Sequence, residues 1–289
     1  VANQPVSIIV PVYNEARAIA QTHTALRDVL THLPEGSELI YVDDGSRDGT
    51  ANKLAVLEGA TILTHRSNRG YGRALKTGVR AAQNPVVCFC DADGTYPTDR
   101  LPELCAQLES EGAAMVVGAR SVSQQSWARR PAKAFLRWLA EYLTQERIPD
   151  LNSGLRAIRR EHSLRFERLL PEGFSYTTTI TLSLLCEGER VCFTPIEYRP
   201  RLGSSKIKPI RDTANFFLLI LRTTVAFHPL RVYGPIAAAL LGFGALLLLA
   251  RMFLDQPAGV ATTVVLLTAG LQLLGIGLLA DLVNRRSSR

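Results

Sequence analysis

Two stretches without a charged side chain, residues 232–250 (VYGPIAAALLGFGALLLLA) and 260–280 (VATTVVLLTAGLQLLGIGLLA), divide this chain of 289 residues. At about 1.5 Å of rise per helical residue, each comes close to a hydrocarbon core of about 30 Å. Both read as transmembrane helices, joined by RMFLDQPAG into a hairpin. The alternative, a helix pair buried in a soluble protein, is disfavoured because successive spans of this length seldom lack polar positions in such folds. Arg222 and Arg231 precede the first span, and Arg285, Arg286 and Arg289 follow the second. That distribution puts both flanks on the cytoplasmic side and the Arg251 to Asp255 connection outside. No cleavable signal precedes Val6, so the first 200 residues are expected in the cytosol.

The remainder has a different texture. From Val6 a strand (SIIVPV), a helix (about 15–33), a strand (ELIYVDD) and a helix (about 48–58) follow in order. ATILTH, YGRALKTGVRAAQ, PVVCFCDAD, DRLPELCAQLES and AAMVVGAR then continue the alternation. Strands and helices alternating with short turns predict an α/β fold, a mostly parallel sheet with helices on both faces. After Arg120 the pattern lapses. Residues 127–147 read as a basic amphipathic helix, DLNSGLR as a loop, REHSLRFERLL as a helix and RVCFTPIEY as a strand. Residues 210–227 suit an interfacial helix on the bilayer, with a core helix as the alternative. The organisation expected is thus a cytosolic unit over 1–205, juxtamembrane amphipathic helices over 206–230 and two transmembrane helices over 231–289.

Cys88, Cys90, Cys105, Cys186 and Cys192 show no CxxC spacing and sit in apolar patterns, which fits reduced core packing better than metal ligation. The formal charge of +7 raises nucleic acid as a partner. Much of the excess, however, lies in RPRLGSSKIKPIR beside the spans, where lipid head groups or phosphates are the natural partners, so no nucleic acid is expected.

Ligands of such sheets bind at the carboxyl ends of the strands. The polar clusters Tyr13-Asn14-Glu15, Asp43-Asp44-Gly45-Ser46, Asp91-Ala92-Asp93 and Gly118-Ala119-Arg120 all fall there. Alternation along a strand would place Asp91 and Asp93 on one face, where both reach one hard cation, Mg²⁺ or Mn²⁺, and a diphosphate it holds. Phosphatases of the haloacid dehalogenase type also end a strand in DxDGT, with the first aspartate as nucleophile. They carry it on the first strand with a downstream acidic pair, whereas here it ends the fourth and the adjacent pair Asp43-Asp44 lies upstream.

The ordered set SIIVPVYNE, VDDGSRDGT, DADGTYP and VGAR resembles the family 2 glycosyltransferases of the GT-A fold. DLNSGLR, RLGSSK and the two spans narrow the resemblance to polyprenyl-phosphate glycosyltransferases, the group of dolichol-phosphate mannose synthase and bacterial GtrB-like and ArnC-like enzymes. The resemblance implies inverting transfer of one sugar from a UDP- or GDP-sugar to a polyprenyl phosphate, undecaprenyl or dolichyl, at the cytoplasmic face of the plasma or inner membrane. Relatives with such a hairpin often form homo-oligomers (tetramers), and the sequence leaves the oligomeric state open. A processive polysaccharide synthase would add a QxxRW-like motif and further spans. A catalytically silent membrane module that binds nucleotide sugars is the other alternative.

Carried over by the resemblance, Pro11, Tyr13, Glu15 and Asp43 line the nucleoside pocket, since carboxylates accept hydrogen bonds from base NH groups and ribose hydroxyls. Asp44 or Ser46 serves equally well as a helix N-cap. Arg69, Gly70 and Lys76 match a segment beneath the nucleotide, with a solvated helix face as the alternative for Lys76. Asp91, Ala92 and Asp93 meet the diphosphate, and Asp93 is the more direct metal ligand. Many members carry Gln two residues beyond the second aspartate, where this chain has Thr95. Arg120, Arg129, Arg130 and Lys133 form one lipid-phosphate clamp, and Ser153, Arg156, Arg201 and Lys206 belong to a second. Ser153 and Gly154 shape their loop. Asp150 orients the sugar or those arginines, or acts as a weak base, and joins Asp91, Asp93 and Arg120 as catalytic.

Overall fold

The computed structural model describes residues 3–120, 130–173, 175–198, 209–254 and 260–287; the side chains of 130–133, 209–215, 252–254 and 285–287 are outside the description. Seven strands form one sheet: β1 (Val6–Val12), β2 (Glu38–Asp43), β3 (Thr61–Thr64), β4 (Val86–Phe89), β5 (Met115–Arg120), β6 (Arg156–Arg159) and β7 (Val191–Ile196). Their order across the sheet is β3-β2-β1-β4-β6-β5-β7. All neighbours are parallel except β6, which runs antiparallel to both β4 and β5.

Alternation along β1 explains the two-sided core. Val6, Ile8, Val10 and Val12 point to one face, where Ile19 and Leu26 of α1 (Ile19–Thr31), Leu54 of α2 (Thr50–Ala55) and Leu101, Leu104 and Leu108 of α4 (Leu101–Ser110) cover them. Ile9 points to the other face, with Leu75 and Val79 of α3 (Tyr71–Ala81), Phe166 beyond α6 (Arg160–Arg165), and Tyr176, Ile180 and Leu184 of α7 (Tyr176–Cys186). Cys88, Cys90, Cys105 and Cys186 are buried.

Three differences from the sequence reading position the site. First, β4 ends at Phe89, so Asp91 and Asp93 lie in the following turn and not on the strand. Second, Arg156 opens the short strand β6, read above as the end of a loop. Because β6 is antiparallel, the DLNSGL segment entering it is delivered to the carboxyl ends of β4 and β5. Third, α7 stands where no helix was expected, and every one of its residues is buried.

A third core cluster joins this unit to the apolar helices. Ala140 and Leu143 of α5 (Arg130–Thr144), Leu182 and Leu185 of α7, and Ile220 of α8 (Pro209–Phe227) pack together, with Val232 of α9 (Pro229–Leu254) against them. Residues 216–227 of α8 therefore carry both an inner face and an outward one: Ile220, Thr223 and Thr224 are buried while Leu218 is exposed. α9 and α10 (Val260–Ser287) pack on each other and are long and apolar enough to cross a membrane. They extend beyond 232–250 and 260–280 because the helices continue past Arg231, Arg251 and Asp281. Few of their residues are covered, and Leu246, Leu249, Val265, Leu271 and Leu279 are exposed, which argues against a buried soluble pair. Arg231 Nη1 donates to the Leu143 carbonyl and Asn284 Nδ2 to the Ala226 carbonyl, both at 2.7 Å. The start of α9 is thus tied to α5 and the end of α10 to α8.

Candidate active site

The turn after β1 is stitched to the turn after β2. Asn14 N donates to Ser46 Oγ (2.9 Å), Arg47 N to Asn14 Oδ1 (2.8 Å) and Glu15 N to Thr50 Oγ1 (3.0 Å). Asn14 takes φ of 56°, a left-handed conformation that asparagine tolerates better than most residues. These bonds set Tyr13 and Glu15, both half-buried, near the end of β2, where buried Asp43 accepts Ser46 N at 3.0 Å. Pro11 is buried within β1.

Asp44 does not cap α2. Its Oδ1 accepts Arg69 N (2.8 Å) and lies 2.7 Å from His65 Nδ1, and its Oδ2 accepts Gly70 N (2.8 Å). Ser46 Oγ is taken by Asn14, and the first turn of α2 is served by Asp48, whose Oδ1 accepts Thr50 N at 3.1 Å. The carboxylate of Asp44 thus folds residues 65–70 over the end of β2. Gly45 (φ 74°) makes this possible, since a Cβ there would lie 2.6 Å from the Ser67 carbonyl carbon. Arg69 is exposed. Lys76 is half-buried on α3, and burial lowers its pKa against the opposing pull of Glu172 and Glu167.

Asp91 and Asp93 stand beyond β4, on a turn anchored by Thr22 Oγ1 donating to the carbonyl of buried Ala92 at 3.0 Å. Tyr71, the first residue of α3, donates its hydroxyl to Asp91 Oδ1 at 2.9 Å. Burial first, and the Asp91 charge second, hold that phenol protonated well above its ordinary range. Asp93 is 9% exposed, and its Oδ1 accepts both Thr95 Oγ1 (2.6 Å) and Thr95 N (3.2 Å). On the other side of Asp91 lies Gly154, where a Cβ would sit 2.6 Å from Asp91 Oδ2. Any side chain at 154 would fill the space against that oxygen. Two neighbouring carboxylates of this kind fit Mg²⁺ or Mn²⁺, which bind through one or two carboxylates plus phosphate and water oxygens. Among the described residues no group of three or more His, Cys, Asp or Glu side chains could hold a metal alone.

The third wall comes from β5 and the segment before β6. Arg120 Nε and Nη2 donate to Asp150 Oδ2 (2.7 Å) and Oδ1 (3.0 Å), and Arg120 N adds a bond to Oδ2 at 3.2 Å. Burial favours the neutral carboxyl of Asp150, but the Arg120 fork and the amides of Asn152 and Arg120 outweigh it and lower its pKa. A carboxylate so engaged is a poor base and is placed to orient Arg120. The Arg120 guanidinium also lies 5.3 Å from the Tyr198 ring centroid, and Tyr198 meets Tyr96 edge-on at 5.2 Å. Tyr96 Oη accepts Gly154 N at 2.7 Å.

Two expected phosphate ligands are not surface groups. Arg156 is fully buried, with Nε donating to Ser153 O (3.1 Å) and Nη1 to Thr177 O and Thr181 Oγ1 (3.0 Å each). Ser153 is likewise fully buried. Both side chains are enclosed by the protein, Arg156 because β6 lies inside the sheet between β4 and β5. Of the remaining clamp, Arg130 and Lys133 fall on α5 with side chains outside the description, and Arg129, Arg201 and Lys206 lie outside the described residues. Tyr71, Tyr96 and Tyr198 were missed by sequence reasoning. Only the place of Tyr71 at the start of a helix after Gly70 hinted that it faces a strand end.

Comparison with known proteins bears on this arrangement. The sequence matches the model of Glycosyl transferase family 2 over residues 7–170. It is 32% identical to an undecaprenyl-phosphate 4-deoxy-4-formamido-L-arabinose transferase of Pseudomonas savastanoi pv. phaseolicola, covering 98% of this chain and 86% of that one. It is 30% identical to glycosyltransferase AglJ of Haloferax volcanii, over 96% of this chain and 93% of the relative. Among solved structures, glucosyl-3-phosphoglycerate synthase of Mycobacterium tuberculosis, crystallised with Mn²⁺ and UDP, superposes with a TM-score of 0.60 at 20% identity, covering 77% of this chain and 80% of that one. The seven-stranded sheet has the GT-A fold of such synthases, and with the family match over more than half its length the chain belongs to glycosyl transferase family 2.

Proposed function

We propose that this glycosyltransferase moves a single sugar from a UDP- or GDP-sugar to a polyprenyl phosphate, with inversion, at the cytoplasmic face of a membrane. The observation that carries the reading is that the apolar α9–α10 hairpin is tied to helices packed on the unit that holds the strand-end carboxylates, α9 to α5 and α10 to α8. The two relatives above match nearly the whole chain, apolar helices included, and the name of one specifies undecaprenyl phosphate.

Asp91 and Asp93 would hold Mg²⁺ or Mn²⁺, which when bound neutralises charge on the departing diphosphate. Asp43 and Glu15 accept hydrogen bonds from the nucleoside. Arg120, held in orientation by Asp150 and braced by Tyr198, presents cationic surface toward the acceptor phosphate. The phosphate is already ionised near neutral pH, so its oxygen attacks the anomeric carbon without a strong general base. That is consistent with the engagement of Asp150 by Arg120. Arg129, Arg130, Lys133, Arg201 and Lys206 complete the cationic rim beside the bilayer.

α5 supports the membrane placement. Phe135, Trp138 and Tyr142 are exposed along it, Phe135 tilted against Trp138 and Trp138 stacked on Tyr142, at 5.9 Å each. The carbonyl of Leu143, one residue further on, is bonded to Arg231 at the start of α9. An aromatic stripe at that depth suits the lipid interface. Offering the purified protein undecaprenyl phosphate and 3-phosphoglycerate side by side tests the reading. Labelled sugar on the lipid supports it, and labelled sugar on the soluble acceptor alone refutes it.

A further inference from the structure

Arg156 has no sequence-legible reason to be inside the protein. Its side chain is fully buried, and the acceptors it reaches are neutral: Ser153 O from Nε and Nη2, Thr177 O and Thr181 Oγ1 from Nη1, with Met115 Sδ 3.6 Å from Nη1. Burying a guanidinium without a bonded carboxylate opposes folding, and a well-packed apolar residue of similar volume would spare that cost. Burial accordingly lowers its pKa, against the opposing influence of Tyr71, Tyr96 and Asp150. What the cation does instead is fix one short segment. Its fork grips the Ser153 carbonyl from one side while α7 holds the fork from the other.

That segment borders both halves of the site. The residue after Ser153 is Gly154, whose amide is bonded to Tyr96 and whose Cα faces Asp91 so closely that a Cβ would meet Oδ2 at 2.6 Å. Three residues before Ser153 stands Asp150, which aligns Arg120. Asn152 is tied to α7 as well, its Oδ1 accepting Thr178 Oγ1. We infer that Arg156 is a positioning residue for transfer: through the Ser153 carbonyl it sets the distance of the Asp150–Gly154 segment from Asp91 and so tunes the metal-diphosphate seat without touching substrate. This rests on the reading of Asp91 and Asp93 as that seat.

The test uses the full chain in detergent and titrates Mn²⁺, followed by electron paramagnetic resonance, with UDP and in parallel GDP. Arg156→Met should remain folded by near-ultraviolet circular dichroism, with Mn²⁺ affinity reduced about tenfold or more, the scale for groups that orient metal ligands. At Mn²⁺ concentrations that saturate the variant, its kcat should fall at least as far while KM for the nucleotide sugar changes less than threefold, and Arg156→Lys should recover part of both the affinity and kcat. Should Arg156→Met fail to fold, Thr181→Val removes one acceptor of the fork and should lower Mn²⁺ affinity and kcat severalfold. Wild-type Mn²⁺ affinity and kcat in a folded Arg156→Met, or in Thr181→Val, would reduce Arg156 to a structural strut and overturn the inference. Asp93→Ala is the separate control: if it keeps Mn²⁺ affinity, the seat itself is misassigned, whatever Arg156 does.

Discussion

Thr95 gives its hydroxyl to Asp93 Oδ1 at 2.6 Å and its amide to the same oxygen at 3.2 Å. Two donors on one oxygen fix the rotation of the carboxylate. The side chain at the position where the family resemblance leads one to expect Gln is thus committed to Asp93, and water is the expected ligand in its place. Thr95→Val, nearly isosteric, should weaken Mn²⁺ binding severalfold and cost about 1–2 kcal/mol of stability through the lost bond. Thr95→Ser should restore both. Metal titration and urea melts read the two effects separately.

The pairing of Asp150 with Arg120 predicts a pH dependence of known sign. The pKa of Asp150 is lowered in the folded protein, so on acidification the unfolded chain takes up its proton first. The stabilisation is complete above the unfolded value near 3.8 and is lost as pH falls through the lower folded one. Melting temperature should therefore owe nothing to Asp150 titration between pH 6 and 8 (roughly, by the usual carboxylate range). Asp150→Asn should be less stable at neutral pH, toward the lower end of the roughly 3–5 kcal/mol expected when one partner of a buried pair is removed because Arg120 is part-exposed, and should shed less stability in acid than the parent. A mutant with the parent's acid slope would contradict the assignment.

Arg201→Ala tests the rim. Its KM for the lipid phosphate should rise about tenfold or more, the loss of a charge-assisted hydrogen bond, with nucleotide affinity nearly unchanged. If nucleotide affinity alone falls, Arg201 belongs to the donor side.

Much of this was legible because the first five strands obey one rule. Each is an apolar run ending in polar residues, and the sheet puts those ends together. What was hidden has physical causes. β6 is only RAIR, with a charged residue at either end, and Arg156 at its head reads as solvent-facing. α7 is TTTITLSLL-rich, and threonine favours strands over helices, so its helix owes its existence to burial on every side. The inward turn of Arg156 and Ser153 follows from strand order, which no local pattern encodes. The engagement of Asp44 with residues 65–70 likewise depends on β2 and β3 being neighbours.

The aromatic stripe of α5 predicts a membrane contact separable from catalysis. Replacing exposed Phe135 and Trp138 by Ser should raise KM for the lipid acceptor severalfold and leave Mn²⁺ and nucleotide binding unchanged. Equal effects on donor and acceptor would place α5 elsewhere than the lipid interface.

The most direct measurement is product formation from undecaprenyl phosphate, Mn²⁺ and a panel of radiolabelled UDP- and GDP-sugars, run with the parent protein and with Asp93→Ala. The proposed transfer requires a lipid-linked monosaccharide from the parent and none from a folded Asp93→Ala. A polymer, an absence of lipid product across the panel, or undiminished transfer by Asp93→Ala would contradict it.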